Sequence, residues 1–157
     1  MPTPVQSQLA EVADLVCACG MVRRAARAVS HLYDDWLHEA GIDASQFAIL
    51  VTLERLGPVS QAALGRRYDL DKTTVSRNLS TLGRRGWIRW SAGADARERL
   101  VSLTAAGRRK VRLATPAWRS AQRQMRASLG AKNWSEMRIV LKSITGAARV
   151  ARRRSRA

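Results

Sequence analysis

A mainly α-helical fold carrying one small β-hairpin is predicted by three observations. Residues 59–104 read VSQAALGRRYDLDKTTVSRNLSTLGRRGWIRWSAGADARERLVSLT: a short helical pattern, a tight connection, a second helical pattern and two β-prone runs. The connection ends in Asp71, a good N-cap, after which Val75, Leu79 and Leu82 recur at i, i+4 and i+7 and leave a single apolar stripe. Long stretches of helical periodicity with few breakers lie on both sides. Helix, turn, helix and hairpin in that order make a winged helix-turn-helix, here flanked by N- and C-terminal helices that would form a dimerisation region.

Residues 1–8 read as a disordered lead. From about Leu9 to about Ala40 there is no proline, and Gly20 is the one interior breaker, so one long helix is expected, ended by Gly41. Val22, Ala26, Val29, Tyr33 and Leu37 make its apolar face, with Asp34, Asp35, His38 and Glu39 mixed in near the end. Ser45 is the expected N-cap of a second helix that turns Phe47, Leu50, Leu53 and Leu56 inward before Gly57-Pro58 stops it. Ser60 caps a third helix, packed through Ala63, Leu64 and Tyr68. Asp71 starts the fourth, which Gly86 ends as a C′ glycine.

Trp87 to Ser91 and Arg99 to Leu103 then pair as a hairpin around the tip Gly93–Glu98, with Trp87 packing on the head. Thr104 caps a long helix in which Val111, Ala114, Trp118, Ala121, Met125 and Leu129 repeat at helical spacing and Pro116 introduces a bend. A last helix from about Asn133 carries Trp134, Met137, Leu141, Ile144 and Ala148 as a near-heptad seam, and Arg149 to Ala157 read as a frayed basic end adding phosphate contacts. The organisation expected is one structural domain: 1–43 a dimerisation helix, 44–104 the reading head, 105–157 further dimerisation helices and a basic tail.

Composition narrows the partners. The chain has 157 residues and a formal net charge of +16, an excess that calls for a polyanion such as double-stranded DNA. Residues 1–43 hold 3 basic and 6 acidic groups, 44–104 hold 10 and 5, and 105–157 hold 15 and 1, so positive charge peaks beyond the hairpin. Only 4 of the 28 cations are lysine, so part of the excess reflects arginine-rich coding. No apolar run is long enough to span a bilayer and no signal peptide opens the chain, which makes the cytoplasm the expected location.

The face of the fourth helix opposite its apolar stripe carries Lys72, Thr73, Thr74, Ser76, Arg77 and Asn78. These are the hydroxyl, amide and cationic groups that reach phosphates and base edges in a major groove. Lys72 suits phosphate and the other five suit bases; Arg97 at the hairpin tip is placed to enter the adjacent minor groove. Chemistry of other kinds finds little material. There is no glycine-rich phosphate loop, nucleophile elbow, metal-ligand cluster or cofactor motif, so neither catalysis nor a metal is expected.

Several of these segments resemble the MarR family of transcriptional regulators. Asp71-Lys-Thr-Thr-Val-Ser-Arg77 is similar to that family's recognition helix, Leu82-Gly-Arg-Arg-Gly-Trp-Ile88 to its helix end and first wing strand, and Asp95-x-Arg97 with Leu103-Thr104 to its wing signature. The resemblance implies a homodimer that docks two recognition helices on successive major-groove turns, roughly 34–36 Å apart, and hence a pseudo-palindromic operator. It also implies a regulator, most simply a repressor, released by a small aromatic or phenolic acid held between the dimer helices and the head. Arg23, Arg27, His31 and Trp36 have side chains suited to such a ligand, since arginine pairs with carboxylate and tryptophan stacks.

Two alternatives stay open. Cys17 and Cys19, two apart on a helix, diverge by roughly 200° and do not bridge while the helix persists. Cys19 has Arg23 one turn on, a neighbour that favours a thiolate. The organic-peroxide-sensing branch of the same family has a cysteine at this spacing from the glycine corresponding to Gly41. There a tyrosine corresponding to Tyr33 reaches the thiol from the other subunit, while a second tyrosine stands where this chain has Arg23. Within one chain Tyr33 is about 21 Å from Cys19 along the helix axis, so such a pair would need a two-fold crossing. The other alternative is an architectural protein that binds DNA without sequence preference.

Overall fold

In the computed structural model the residues described are 17–94 and 98–155. The proposed lead at 1–8, the expected helix start at Leu9, the wing-tip arginine Arg97 with Asp95, and the last two residues lie outside them.

The first described helix, α1 (Ala18–Leu37), is opened by Cys17, whose backbone is extended and whose Sγ accepts from the Gly20 amide at 3.5 Å. Cys17 therefore stands before the helix, not within it as expected. A 3₁₀ turn over His38–Ala40 follows and closes on Gly41 at φ 64, the left-handed geometry that glycine takes without penalty. Helix α2 (Ala44–Leu56) starts two residues earlier than expected. Its N-cap is Asp43, which accepts the Gln46 amide at 2.8 Å, whereas Ser45 merely donates its hydroxyl to the same carboxylate. Asp34, which interrupts the apolar face of α1, accepts the Ala44 amide at 2.7 Å and so ties the end of α1 to the start of α2.

The two-residue strand β1 (Val59–Ser60) leads into α3 (Gln61–Tyr68), capped as expected by Ser60. After α4 (Lys72–Arg84) come β2 (Ile88–Ala92) and β3 (Arg99–Leu103). The sheet is antiparallel in the order β1-β3-β2, with Ile88 opposite Leu103, Trp90 opposite Val101 and Val59 also opposite Val101 on the far side. A third strand thus joins the expected hairpin. Two residues are too few to show a period of two, and β1 exists because the free edge of β3 pairs its backbone.

The core gathers Leu37, Phe47, Leu50, Leu53, Leu64, Val75, Leu79, Leu82, Trp87, Ile88, Val101, Leu103 and Ala114. Each fully buried leucine in it contributes roughly 1.5–3 kcal/mol of transfer free energy. Leu56, expected inward, lies 54% exposed, because Gly57 turns the chain away one residue later and Ile49 and Thr52 fill the interior instead.

Helix α5 (Ala105–Leu129) is capped by Thr104 and runs through Pro116. Gly107 is required at its start: a Cβ there would sit 2.0 Å from the Trp87 carbonyl oxygen. Ala114 and Ala121 are fully buried, which lets α1 and α5 approach closely. Their contact is sealed by hydrogen bonds from Tyr33 to Gln122 and from Trp36 Nε1 to Gln124 at 2.6 Å, and Lys110 Nζ ties α5 to the 3₁₀ turn after α1 by donating to the Ala40 carbonyl at 2.7 Å. Trp118, expected inside the seam, is only partly covered, its ring centroid 6.2 Å from that of Phe47.

Helix α6 (Ala131–Arg154) buries no residue completely. Trp134 and Met137 are half-buried, while Leu141, Ile144 and Ala148 of the expected seam, with Ile139, Val140 and Val150, are exposed. The basic end expected to fray is helical through Arg154, and Arg149 reaches back to the head.

Candidate nucleic-acid interface

Three residues, Asp69-Leu70-Asp71, turn the chain from α3 into α4. Asp69 takes a left-handed conformation at φ 52, the Leu70 amide returns to the Gly65 carbonyl at 3.0 Å, and Asp71 then caps α4. Its carboxylate accepts the Thr74 amide at 2.9 Å and the Thr74 hydroxyl at 2.7 Å. Those two bonds, the backbone one foremost, hold the Asp71 carboxyl below its ordinary range. Val75, Leu79 and Leu82 face the core as their spacing predicts. Lys72, Thr73, Ser76 and Arg77 are therefore exposed, with Thr74 and Asn78 half-buried. Thr74 is engaged in the cap, so its hydroxyl proton serves Asp71.

The base of the wing is held by the Gly93 amide on the Glu98 carbonyl at 2.8 Å. Trp90, whose place the sequence leaves undecided, lies 37% exposed on the wing with the Arg99 guanidinium 4.9 Å above its ring. Between α3, α4 and the wing opens a cleft of about 960 Å³, lined among others by Gln61, Arg66, Lys72, Ser76, Trp90 and Arg99. Gln61, Arg66 and Arg99 were not singled out from the sequence. Gln61 Nε2 donates to the Lys72 carbonyl at 3.2 Å and so couples the first turn of α3 to that of α4. Its signal was available, a polar residue directly after the Ser60 cap. Arg66 and Arg99 had none beyond their charge.

A second cleft, about 800 Å³, lies where α1 and α5 meet the head. It is lined by Tyr33, Phe47, Val51, Thr52, Tyr68 and Trp118 with the guanidinium groups of Arg55, Arg67 and Arg119, and by no carboxylate among the described residues. Burial pushes the Tyr33 phenol above its ordinary pKa of 10.0. The expected ligand residues do not line it: Arg23, Arg27, His31 and Trp36 are exposed. Tyr33 and Leu37 turn inward on α1, and the four residues occupy its other sides. Cys17 and Cys19 are exposed free thiols, and Arg23 is exposed one turn beyond Cys19. Among the described residues no group of His, Cys, Asp and Glu is placed to hold a metal ion, and no helix is long and apolar enough to cross a membrane.

Comparison with known proteins agrees with this geometry. A family model described as a winged helix DNA-binding domain matches residues 42–107. The uncharacterised HTH-type transcriptional regulator YwoH of Bacillus subtilis is 29% identical over 89 residues, 57% of this chain and 65% of YwoH, so the match spans just under two thirds of that relative. The crystal structure of the M. tuberculosis transcriptional regulator MosR in complex with DNA is 36% identical, covering 87% of this chain and 98% of MosR at a TM-score of 0.79. PcaV of Streptomyces coelicolor, solved in complex with its natural ligand, is 25% identical over 85% of this chain and 94% of its own, at a TM-score of 0.76. MosR and PcaV are MarR-family regulators.

Proposed function

Because the chain belongs to the MarR family and is a transcriptional regulator with a winged-helix DNA-binding domain, we propose that it is a homodimeric repressor. It binds a pseudo-palindromic operator in the cytoplasm and is released by a small aromatic acid. The observation that carries this reading is α4 itself: capped by Asp71, buried along Val75, Leu79 and Leu82, and exposing Lys72, Thr73, Ser76 and Arg77 to solvent. Lys72 meets phosphate, while Thr73, Ser76, Arg77 and Asn78 read bases, with Thr74 braced by the cap. Arg97 enters the minor groove. Residues 1–43 and 105–157 supply the dimer through the exposed apolar side chains of α6 and those of α1, Met21 and Val22.

The second cleft favours an aromatic anion, since Phe47, Tyr68 and Trp118 offer ring faces and Arg55, Arg67 and Arg119 offer charge that no carboxylate of the described lining neutralises. Two regulators of this family give a precedent for each half, MosR solved with DNA and PcaV solved with its natural ligand. The arginines of the cleft replace Arg23, Arg27, His31 and Trp36 as the first choice of ligand residues.

A thiol switch is the second reading, favoured by the exposure of Cys19. In this reading Tyr33 would have to leave Gln122 to approach a partner's thiol. One experiment ranks these ideas: competition gel shift with DNA from upstream of the protein's own gene against scrambled DNA, at fixed salt. It is run with phenolic acids added, and with organic peroxide on the parent and Cys19→Ser. Equal affinity for both DNAs means an architectural binder. Release by peroxide that Cys19→Ser abolishes moves the signal to the thiol.

A further inference from the structure

We propose that Arg66, Arg152 and Arg153 form a second phosphate-binding surface, which holds the DNA backbone outside the sequence read by α4. The inference rests on the reading that α4 docks on DNA.

Its anchor is the ion pair between Arg149 and Asp69. The guanidinium grips the carboxylate with two bonds, Nη2 to Oδ2 at 2.6 Å and Nε to Oδ1 at 3.2 Å. Asp69 is the left-handed residue that ends α3, two positions before the Asp71 cap. The grip therefore brings the last turns of α6 to the turn that launches the recognition helix. Beside it lies a cleft of about 390 Å³ lined by Arg66, Asp69, Arg149, Arg152 and Arg153.

Four guanidinium groups meet there around one carboxylate, and Arg149 already occupies that carboxylate. Like charges so gathered repel one another, and they gain when an anion enters between them. The form of that anion follows from the surroundings. All five lining residues are exposed and the three arginines that form no ion pair among the described residues come from two separate elements, so they offer contacts spread along a surface instead of a closed pocket for one small ion. Arg66 also lines the cleft beside α4 together with Lys72 and Ser76. One side chain thus joins the arginine cluster to the recognition helix, and the positive surface between them is continuous. This gives a use to the excess of 15 cations over 1 anion in residues 105–157, which the recognition helix leaves unexplained. Asp69 does not touch DNA in this arrangement; it positions Arg149 and, through it, the end of α6.

The test uses the full chain and two duplexes, one trimmed to the recognised sequence and one with long flanks. Affinity is followed by fluorescence anisotropy over a salt series for the parent and for Arg152→Gln/Arg153→Gln. On the long duplex the variant's slope of log affinity against log salt is expected to be shallower by about 2 per chain, with a loss of roughly tenfold or more near physiological salt. Discrimination against scrambled DNA stays unchanged, and on the trimmed duplex parent and variant bind alike. An unchanged slope on the long duplex overturns the proposal, and so does an equal loss on both duplexes. Failure of the underlying reading looks different: the parent itself shows no preference over scrambled DNA, and Arg77→Ala changes nothing, whatever the arginine variant does.

Discussion

The reading head and the helical arms of this chain treat their apolar residues in opposite ways. From α2 to β3 the large apolar side chains close on one another, and Leu50, Leu64, Val75, Leu79, Leu82 and Val101 are essentially out of water. Along α6 the same residue types, Ile139, Val140, Leu141, Ile144 and Val150, remain 39–69% exposed. A head of this kind is stable by its own burial. An arm of this kind is held by its hydrogen bonds and by α5, and has free energy still to gain from a second surface.

The contrast is broken most directly at Leu79, fully buried under the recognition helix. Leu79→Ala is expected to cost about 2–5 kcal/mol, a cavity effect seen as a large fall in Tm at any protein concentration. A loss below about 1 kcal/mol would mean that the head is not the well-packed half. The mirror experiment is Leu141→Glu with Ile144→Glu. If these side chains are the dimer seam, the far-ultraviolet spectrum persists while the dimer dissociation constant rises on the order of 100-fold in sedimentation, because two charges would be buried without partners. An unaltered dimer would place the interface elsewhere.

Smaller changes sharpen the boundary between the two regions. Asp43→Ala, which removes the N-cap of α2 where the arm gives way to the head, is expected to cost about 1 kcal/mol, and Ser45→Ala only a few tenths in the same thermal melts. The reverse ranking would restore Ser45 as the cap.

The gentlest lever is acid on Asp71. Its folded pKa lies below the ordinary value of 3.8 because Thr74 donates its amide and hydroxyl to the ionised form. The cap is therefore fully in place above 3.8 and is lost as pH falls through the lower folded value. Parent and Asp71→Asn should differ by a constant Tm offset at neutral pH that shrinks below 3.8. A difference that stays constant into strong acid would show that the carboxylate is not what caps α4.

How much could be read in advance depended on range. Asp71 with Val75, Leu79 and Leu82 was legible because an N-cap and a helical stripe are events within one or two turns, and the same holds for Ser60 and Thr104. Leu56 was misplaced because the periodicity that reads it inward takes no account of Gly57 turning the chain. Asp43 and Ser45 are both good caps two residues apart, and only the extended backbone at Asp43, φ −95 and ψ 166, selects between them. Arg55, Arg67 and Arg119 could not be gathered into one cleft from their spacing, since they belong to three different helices.

By itself the order of residues determined the winged helix-turn-helix, the start of the recognition helix and which of its faces is free, since short-range hydrogen bonds and amphipathic periodicity are written in neighbouring positions. Tertiary structure alone decided that β1 joins the sheet, that Tyr33 meets Gln122, and that Arg149 meets Asp69 from 80 residues away. Those outcomes follow from how whole helices rotate and cross as they bury a shared core, and no local pattern encodes that rotation.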